Sequence, residues 1–410
     1  MRIKKLHLAL ALGIAFSVPL STVHAQLTES VYSIFGLGEL GANNIGMNRS
    51  LGGTGIAFQS NRSINYLNPA SYLGVTPNAF VMEVGVYGVY NNAEKGRNAQ
   101  THKDIDFSYG SFGLHLTDWW SLSLGVLPFS QVGYTITSTV AVDGELSSYE
   151  KTVKGSGSIK RAYLGNSFLI MEGLAAGLNV SYIGGSITES ETGSGNNTLA
   201  QYQLENKRTF GTAYLDYGVQ YSLRHRDWDY TLGLVYGAST TLDASDDLTV
   251  TSNGTTTSLA ASDRPVMKIP QKIGLGFAAK APQFKAGFDY EWQNWSTVRF
   301  SNSRARTRNS SRYSLGVEYM PGQHDAQSGA LAYRCGVNYR SSYIEVGTTA
   351  ITSYGLTVGM GIPSKGLNLN VSVEYGEEGT LDKGLIRNRY WMLYASVSVF
   401  ELWHSLSMDD

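Results

Sequence analysis

The sequence predicts an all-β protein: a transmembrane antiparallel β-barrel of about fourteen strands, with a short N-terminal hatch in its lumen. Three observations carry this. Apolar and polar residues alternate with period two along much of the chain, which sorts side chains onto two strand faces where helical spacing would scatter them. Many alternating segments run to ten residues or more, against the five or six usual in soluble strands and the roughly 9–11 of a membrane strand. The links between them are very short at one end and long at the other, as in outer-membrane barrels. Composition agrees. Gly (46) and Tyr (26) are abundant, Pro is only 9, and charged residues make up 16%, against roughly 25% in soluble domains. A net charge of -1 provides no basic stripe for nucleic acid.

Residues 1–25 read as an export signal. Arg2, Lys4 and Lys5 form the positive region, Leu6 to Leu20 the apolar core, and Val23-His24-Ala25 the cleavage site. No cysteine follows the core, so the mature chain is expected to start at Gln26. Past that point no run approaches the roughly 18 apolar residues of a spanning helix. Residues 26–78 do not alternate and carry Gly36, Gly38, Gly41, Gly46, Gly52, Gly53 and Gly55. They are assigned to the hatch, residues 79–403 to the barrel and 404–410 to a C-terminal tail.

Strands are expected at 80–92, 105–116, 120–138, 146–170, 174–188, 204–222, 228–243, 268–280, 284–301, 308–320, 330–342, 352–362, 366–376 and 389–400. Alternation is cleanest in the second half. In "FKAGFDYEW", Phe284, Ala286, Phe288, Tyr290 and Trp292 share one face, and Lys285, Gly287, Asp289 and Glu291 the other. Tight turns fall at 117–118, 171–173, 224–227, 281–283 and 363–365. Long polar links fall at 93–104, 189–203 and 244–267, the last rich in Ser, Thr and Asp and expected outside the cell. With the N-terminus in the periplasm, every tight turn is periplasmic and an even strand count returns the C-terminus there.

No catalytic or metal constellation emerges, so no enzyme, cofactor or metal is expected. "GLGELG" (36–41) satisfies G-x-G-x-x-G but lacks the βαβ context a dinucleotide site requires. His102, His115, His225, His324 and His404 share no ligand spacing and no nucleophile elbow. Trp119-Trp120, Trp292 and Trp295 are assigned to the aromatic belt at the bilayer surface. Lys285, Asp289, Glu291, Arg334 and Arg340 are expected to face the lumen and pair across it. Cys335, the single cysteine after the signal, is expected to act as a small apolar side chain on a strand face.

"GGTGIAF…SINYLNPASY" resembles the N-terminal hatch of the FadL/TodX family of outer-membrane transporters, in which Asn-Pro-Ala precedes strand one. "IPQKIGLGFAAK…FKAGFDYEWQNWS", "YRCGVNYRSSYI…YGLTVGMGIP" and the closing "ELWH" are similar to further stretches of that family. The resemblance implies a fourteen-strand barrel in the bacterial outer membrane that binds hydrophobic ligands in its lumen. It also implies a kink in the third strand that opens a lateral path to the bilayer. On this reading Asn68, Pro69 and Ala70 position the hatch, and Pro128, inside strand three, marks the kink. The function implied is diffusion of hydrophobic or small organic compounds, with outer-membrane lipids and such a ligand as partners. The alternative is a barrel accessory of a type IX-like secretion machinery, with a protein partner.

Overall fold

A computed structural model describes residues 31–41, 44–141, 148–195, 202–252, 254–260, 267–298, 305–322, 330–364 and 366–402. The expected signal, the start of the hatch and the C-terminal tail lie outside these. Fourteen antiparallel strands close into one barrel. The first seven are β1 (Ala79–Lys95), β2 (Asn98–Thr117), β3 (Trp120–Ala141), β4 (Ser148–Met171), β5 (Leu174–Gly195), β6 (Tyr202–His225) and β7 (Trp228–Gly237, continued by Thr240–Ser252). Then come β8 (Thr255–Ala260, Met267–Ile269 and Lys272–Lys280), β9 (Phe284–Gln293) and β10 (Ala305–Thr307 and Ser310–Tyr319). The last four are β11 (Ala332–Val346), β12 (Thr349–Ser364), β13 (Leu367–Gly379) and β14 (Arg387–Leu402). β14 pairs with β1 from Arg387↔Glu94 to Leu402↔Ala79, which closes the ring.

Period two is directly visible in burial. Outward residues such as Leu232, Leu275, Phe288, Tyr333, Leu356 and Leu393 are exposed, while Glu83, Asn179, Gln220 and Asp289 on the inner faces are buried. This inverts a soluble protein and matches a barrel whose outer face meets lipid.

Three expectations change. The links at 93–104, 189–203 and 244–267 are largely strand. β1 and β2 stay paired to Lys95↔Asn98, β5 and β6 reach Gly195 and Tyr202, and Thr255↔Ser252 to Ala260↔Asp247 extends a hairpin. These stretches are wet on both faces, so the ladder persists although the hydrophobic alternation has faded. The strand expected at 284–301 ends at Gln293 and is followed by a short 3-10 turn at Trp295–Thr297. Trp295 is no belt residue: it is buried and stacked on Tyr343 at 4.3 Å. Trp119 is 55% exposed beside a tight turn and stacks on Trp120 and Phe168, as an interface anchor should.

Residues 44–75 lie within the ring, against the inner faces of the strands. Backbone meets backbone there because the strands present glycine. A Cβ on Gly177 of β5 would lie 2.4 Å from Pro69 C, and one on Gly336 of β11 would lie 2.2 Å from Leu51 C.

Candidate functional site

The barrel wall is not uniformly paired. β2 pairs with β3 only from Thr117↔Trp120 to Gly110↔Val126, and beyond that level the ladder between them stops. Two bulges flank the break. Ser108 is skipped between Tyr109↔Gly85 and Phe107↔Val86, and Phe129 between Pro128↔Lys160 and Ser130↔Ile159. Pro128 contributes directly, since it has no N–H to give to a ladder.

Unpaired edge groups are costly at membrane depth, and both edges of this seam are provided for. On β2, Ile105 N donates to Asp104 Oδ1 at 2.8 Å and Phe107 N to Asp106 Oδ1 at 2.7 Å. Gln131 Nε2 of β3 donates across the seam to Asp106 Oδ2 at 3.0 Å, and Gln131 Oε1 accepts from the Tyr87 hydroxyl at 3.1 Å. On β3, the N-terminal segment supplies a substitute strand. Glu39 and Leu40 pair with Gln131 and Ser130, Gly41 N donates to Phe129 O at 2.9 Å, and Ser33 Oγ donates to Gly133 O at 3.0 Å. Gly38, at φ +84°, is needed here: a Cβ would lie 2.3 Å from Gln131 O. Residues 32–41 thus form a strap, tied on its far side by Tyr343 OH to Gly38 O at 2.7 Å and by Tyr32 OH to Ile386 O at 2.5 Å.

Three interior cavities of about 130, 60 and 40 Å³ meet at this strap, since Leu40 and Gly41 line all of them. The largest also touches Pro128 and Gln131 at the seam, and holds Arg49, Arg312 and Arg340 against Glu39, Glu374 and Glu378. Burial pushes the Glu39 carboxyl up to about 7; Glu378 adds to this and Arg340 opposes it.

The smallest cavity exposes a buried charge cluster. Asp216 of β6 holds Arg161 of β4 (Nη1–Oδ2 3.4 Å) and Lys272 of β8 (Nζ–Oδ1 3.1 Å). Tyr66 donates to Asp216 Oδ2 at 3.1 Å and accepts from Arg161 Nη1 at 2.6 Å. Burial, opposed by Arg161, raises the Tyr66 hydroxyl above its ordinary pKa, which keeps it a donor. The Arg161 guanidinium carbon lies 4.9 Å from the Tyr214 ring centroid and 5.1 Å from that of Phe129. Two cations share one carboxylate, and Arg161 Nε has no hydrogen-bond partner among the described residues. With Trp295, Phe129 and Leu40 also in its wall, the pocket has the chemistry for a small organic group with a polar or anionic end.

The residues expected from sequence fall into three places. Asn68 is extended (φ -138°, ψ 115°) and opens the 3-10 turn Pro69–Gly74; its Oδ1 accepts from Ala70 N at 3.0 Å, and its Nδ2 donates to Ile56 O at 2.8 Å. Pro69 and Ala70 lie over Gly177. Pro128 stands at the seam. Lys285 and Asp289 face inward onto the N-terminal segment: Lys285 Nζ reaches Gln59 O at 3.5 Å, and Asp289 Oδ2 accepts from Gly55 N at 2.6 Å and Ile56 N at 2.9 Å. Arg334 pairs with Glu318 at 2.5 Å and Arg340 with Glu378 at 3.2 Å, while Glu291 accepts from Gln293. Arg161, Asp216, Lys272, Gln131 and the strap escaped sequence reasoning. For the charged three the only trace is a charge at an inward position of an otherwise apolar-alternating strand, as Asp216 is in "AYLDYGVQY"; Gln131 and the strap leave none.

The closed fourteen-strand wall gives the chain a FadL-like fold. The chain belongs to the BamG family, whose model matches residues 2–407. No curated protein matches it. Among solved structures it is similar to the Pseudomonas putida toluene transporter TodX (15% identity, 89% of this chain and 100% of that one, TM-score 0.58). It is also similar to the CymD monoaromatic hydrocarbon channel (16%, 90% and 100%, 0.57) and to the Ralstonia pickettii toluene transporter TbuX (14%, 88% and 99%, 0.57). At these identities the likeness is one of fold.

Proposed function

We propose that the chain is a bacterial outer-membrane channel for hydrophobic or small organic compounds, which leave the lumen sideways through the β2–β3 seam. The observation that carries this is the arrested ladder beyond Gly110 and Val126, next to a cavity lined by Pro128 and Gln131. Leu40 and Gly41 line all three cavities, and on this reading a shift of the strap joins the Arg161–Lys272 pocket to the seam. The toluene transporters and the hydrocarbon channel that share the fold support this reading. Asn68, Pro69 and Ala70 act in it as part of a fixed hatch, and outer-membrane lipid receives the compound.

The test is a reversible lock. Asp106→Cys and Gln131→Cys, in a Cys335→Ser background, are bridged by a reducible bis-methanethiosulfonate reagent in liposome-reconstituted protein. Uptake of a labelled monoaromatic compound should fall on bridging and return on reduction. Uptake indifferent to the bridge would refute lateral exit.

A second reading is favoured by membership of the BamG family and by the three arginines and three carboxylates around the largest cavity, a poor lining for a hydrocarbon. Under it the barrel is a part of an outer-membrane protein machinery, secretion included, and holds a protein partner. Native mass spectrometry of gently extracted envelopes separates the two: a stoichiometric protein partner supports the second reading, and a co-purified small hydrophobe the first.

A further inference from the structure

We infer that residues 44–75 of the N-terminal segment are the template on which the barrel closes. The observation is a ring of inward glycines, one on every strand from β4 to β12, at the level of residues 50–72. Gly165, Gly177 and Gly218 leave room for Tyr72, Pro69 and Asn68. Gly233 and Gly276 leave room for Ile56, and Gly287 for Phe58. Gly316 and Gly336 admit Leu51, and Gly359 admits Ser50. A Cβ at each of these positions would come within 2.0 to 2.8 Å of the segment. Glycine inside a strand weakens it and often marks a close approach by another chain segment; here backbone approaches at Gly177, Gly233, Gly316 and Gly336, and side chains of the segment at the others.

Side chains of the wall then bind the segment's backbone from all sides. Ser167 of β4 donates to Ala70 O at 2.9 Å, Gln220 of β6 to Ile56 O at 2.8 Å, and Arg312 of β10 to Gly52 O at 3.1 Å. Asp289 of β9 accepts from Gly55 and Ile56, and Glu83 of β1 from Ile64 N at 3.3 Å. Thr357 of β12 accepts from Gly52 N at 2.9 Å and donates to Ser50 O at 3.1 Å. A segment entering a finished barrel would have to carry these backbone groups, together with the buried Asn48, Asn65 and Asn68, down a lumen already lined by their partners. Closing the strands around the segment meets each group as its strand arrives. The segment also precedes every strand in the chain.

The test follows refolding of the full-length chain into detergent micelles, with Ala70→Cys in a Cys335→Ser background. Closure is read by the heat-modifiable shift on cold SDS gels, and seating by a maleimide pulse that labels the introduced thiol. The inference expects that thiol to become protected before closure or together with it. It also expects Gly177→Leu and Gly336→Leu to slow closure at least tenfold. Gly88→Ala, whose Cβ would meet nothing nearer than 3.6 Å, should close at the parental rate. Closure with the introduced thiol still reactive, or glycine variants that close at the parental rate, would overturn it.

Discussion

Asp216→Ala gives the sharpest test of the interior. The carboxylate holds Lys272 at 3.1 Å and Arg161 at 3.4 Å, and accepts from Tyr66. The side chains of Asp216 and Arg161 are 6% and 3% exposed and that of Lys272 is 11% exposed, so little water can replace the lost partner. Removing one member of such a buried pair costs about 3–5 kcal/mol, because a charge is left uncompensated. Two effects set the lower end of that range here. The Tyr66 hydroxyl still accepts from Arg161, and the cavity of about 40 Å³ beside Lys272 gives its ammonium group some freedom. The expected loss is therefore about 3 kcal/mol. Asp216→Asn combined with Lys272→Met deletes one charge of each sign and keeps an acceptor for Arg161 and Tyr66. Half or more of the loss should return, because no buried cation is then left facing an empty carboxylate site. The assay is urea unfolding in lipid vesicles, followed by tryptophan fluorescence, with stability taken from midpoint and slope. A loss below about 1 kcal/mol for Asp216→Ala, or a double variant no better than the single one, would show that the cluster is solvated and carries no buried charge.

Three further outcomes are expected. Asp106→Ala removes the acceptors for Phe107 N and for the Gln131 amide; at about 1–3 kcal/mol per unmet donor it should lower the urea midpoint, while Asp106→Asn, which keeps one of the two acceptor oxygens, should lower it by about half as much. Glu39 has a carboxyl pKa raised to about 7, so its contribution is fully present below the ordinary carboxylate pKa and is lost as pH rises through about 7. Limited proteolysis of the strap should accelerate over that window, and in Glu39→Gln the acceleration should vanish. Pro128→Ala should leave heat-modifiability unchanged and slow uptake of a monoaromatic compound into liposomes; unchanged uptake would remove proline from the seam's mechanism.

The parts of the fold written in local periodicity were legible. "FKAGFDYEW" and "LNLNVSVEY" give their strands and faces because lipid on one side and a packed lumen on the other impose period two. The extended hairpins at 93–104 and 244–267 read as loops because both of their faces are wet and nothing selects alternation. Trp295 sits one turn past a strand end, where sequence cannot say whether the chain turns outward to lipid or inward to Tyr343. The candidate site was legible only at Pro128. Arg161, Asp216 and Lys272 lie on three strands, and barrel closure alone brings them together. The strap pairs Glu39 with Gln131 across residues 44–75 and an entire hairpin, so no local pattern can announce it.

The seam itself separates a defect from a built opening. A ladder that merely failed would leave donors and acceptors unmet where hydrocarbon makes this expensive. Here the β2 donors at Ile105 and Phe107 are each capped by the preceding aspartate, and the β3 edge from Phe129 to Gly133 is taken up by the strap. The two edges are satisfied by different means, and that asymmetry has a consequence. The aspartate caps belong to β2 and stay when the strap moves, so β2 has no pull to zip onto β3. The β3 edge loses its partners when the strap leaves, so displacement carries a cost that draws the strap back. On the proposed lateral path, this asymmetry holds the opening against permanent closure on one side and against permanent release on the other, and makes the strap its moving part.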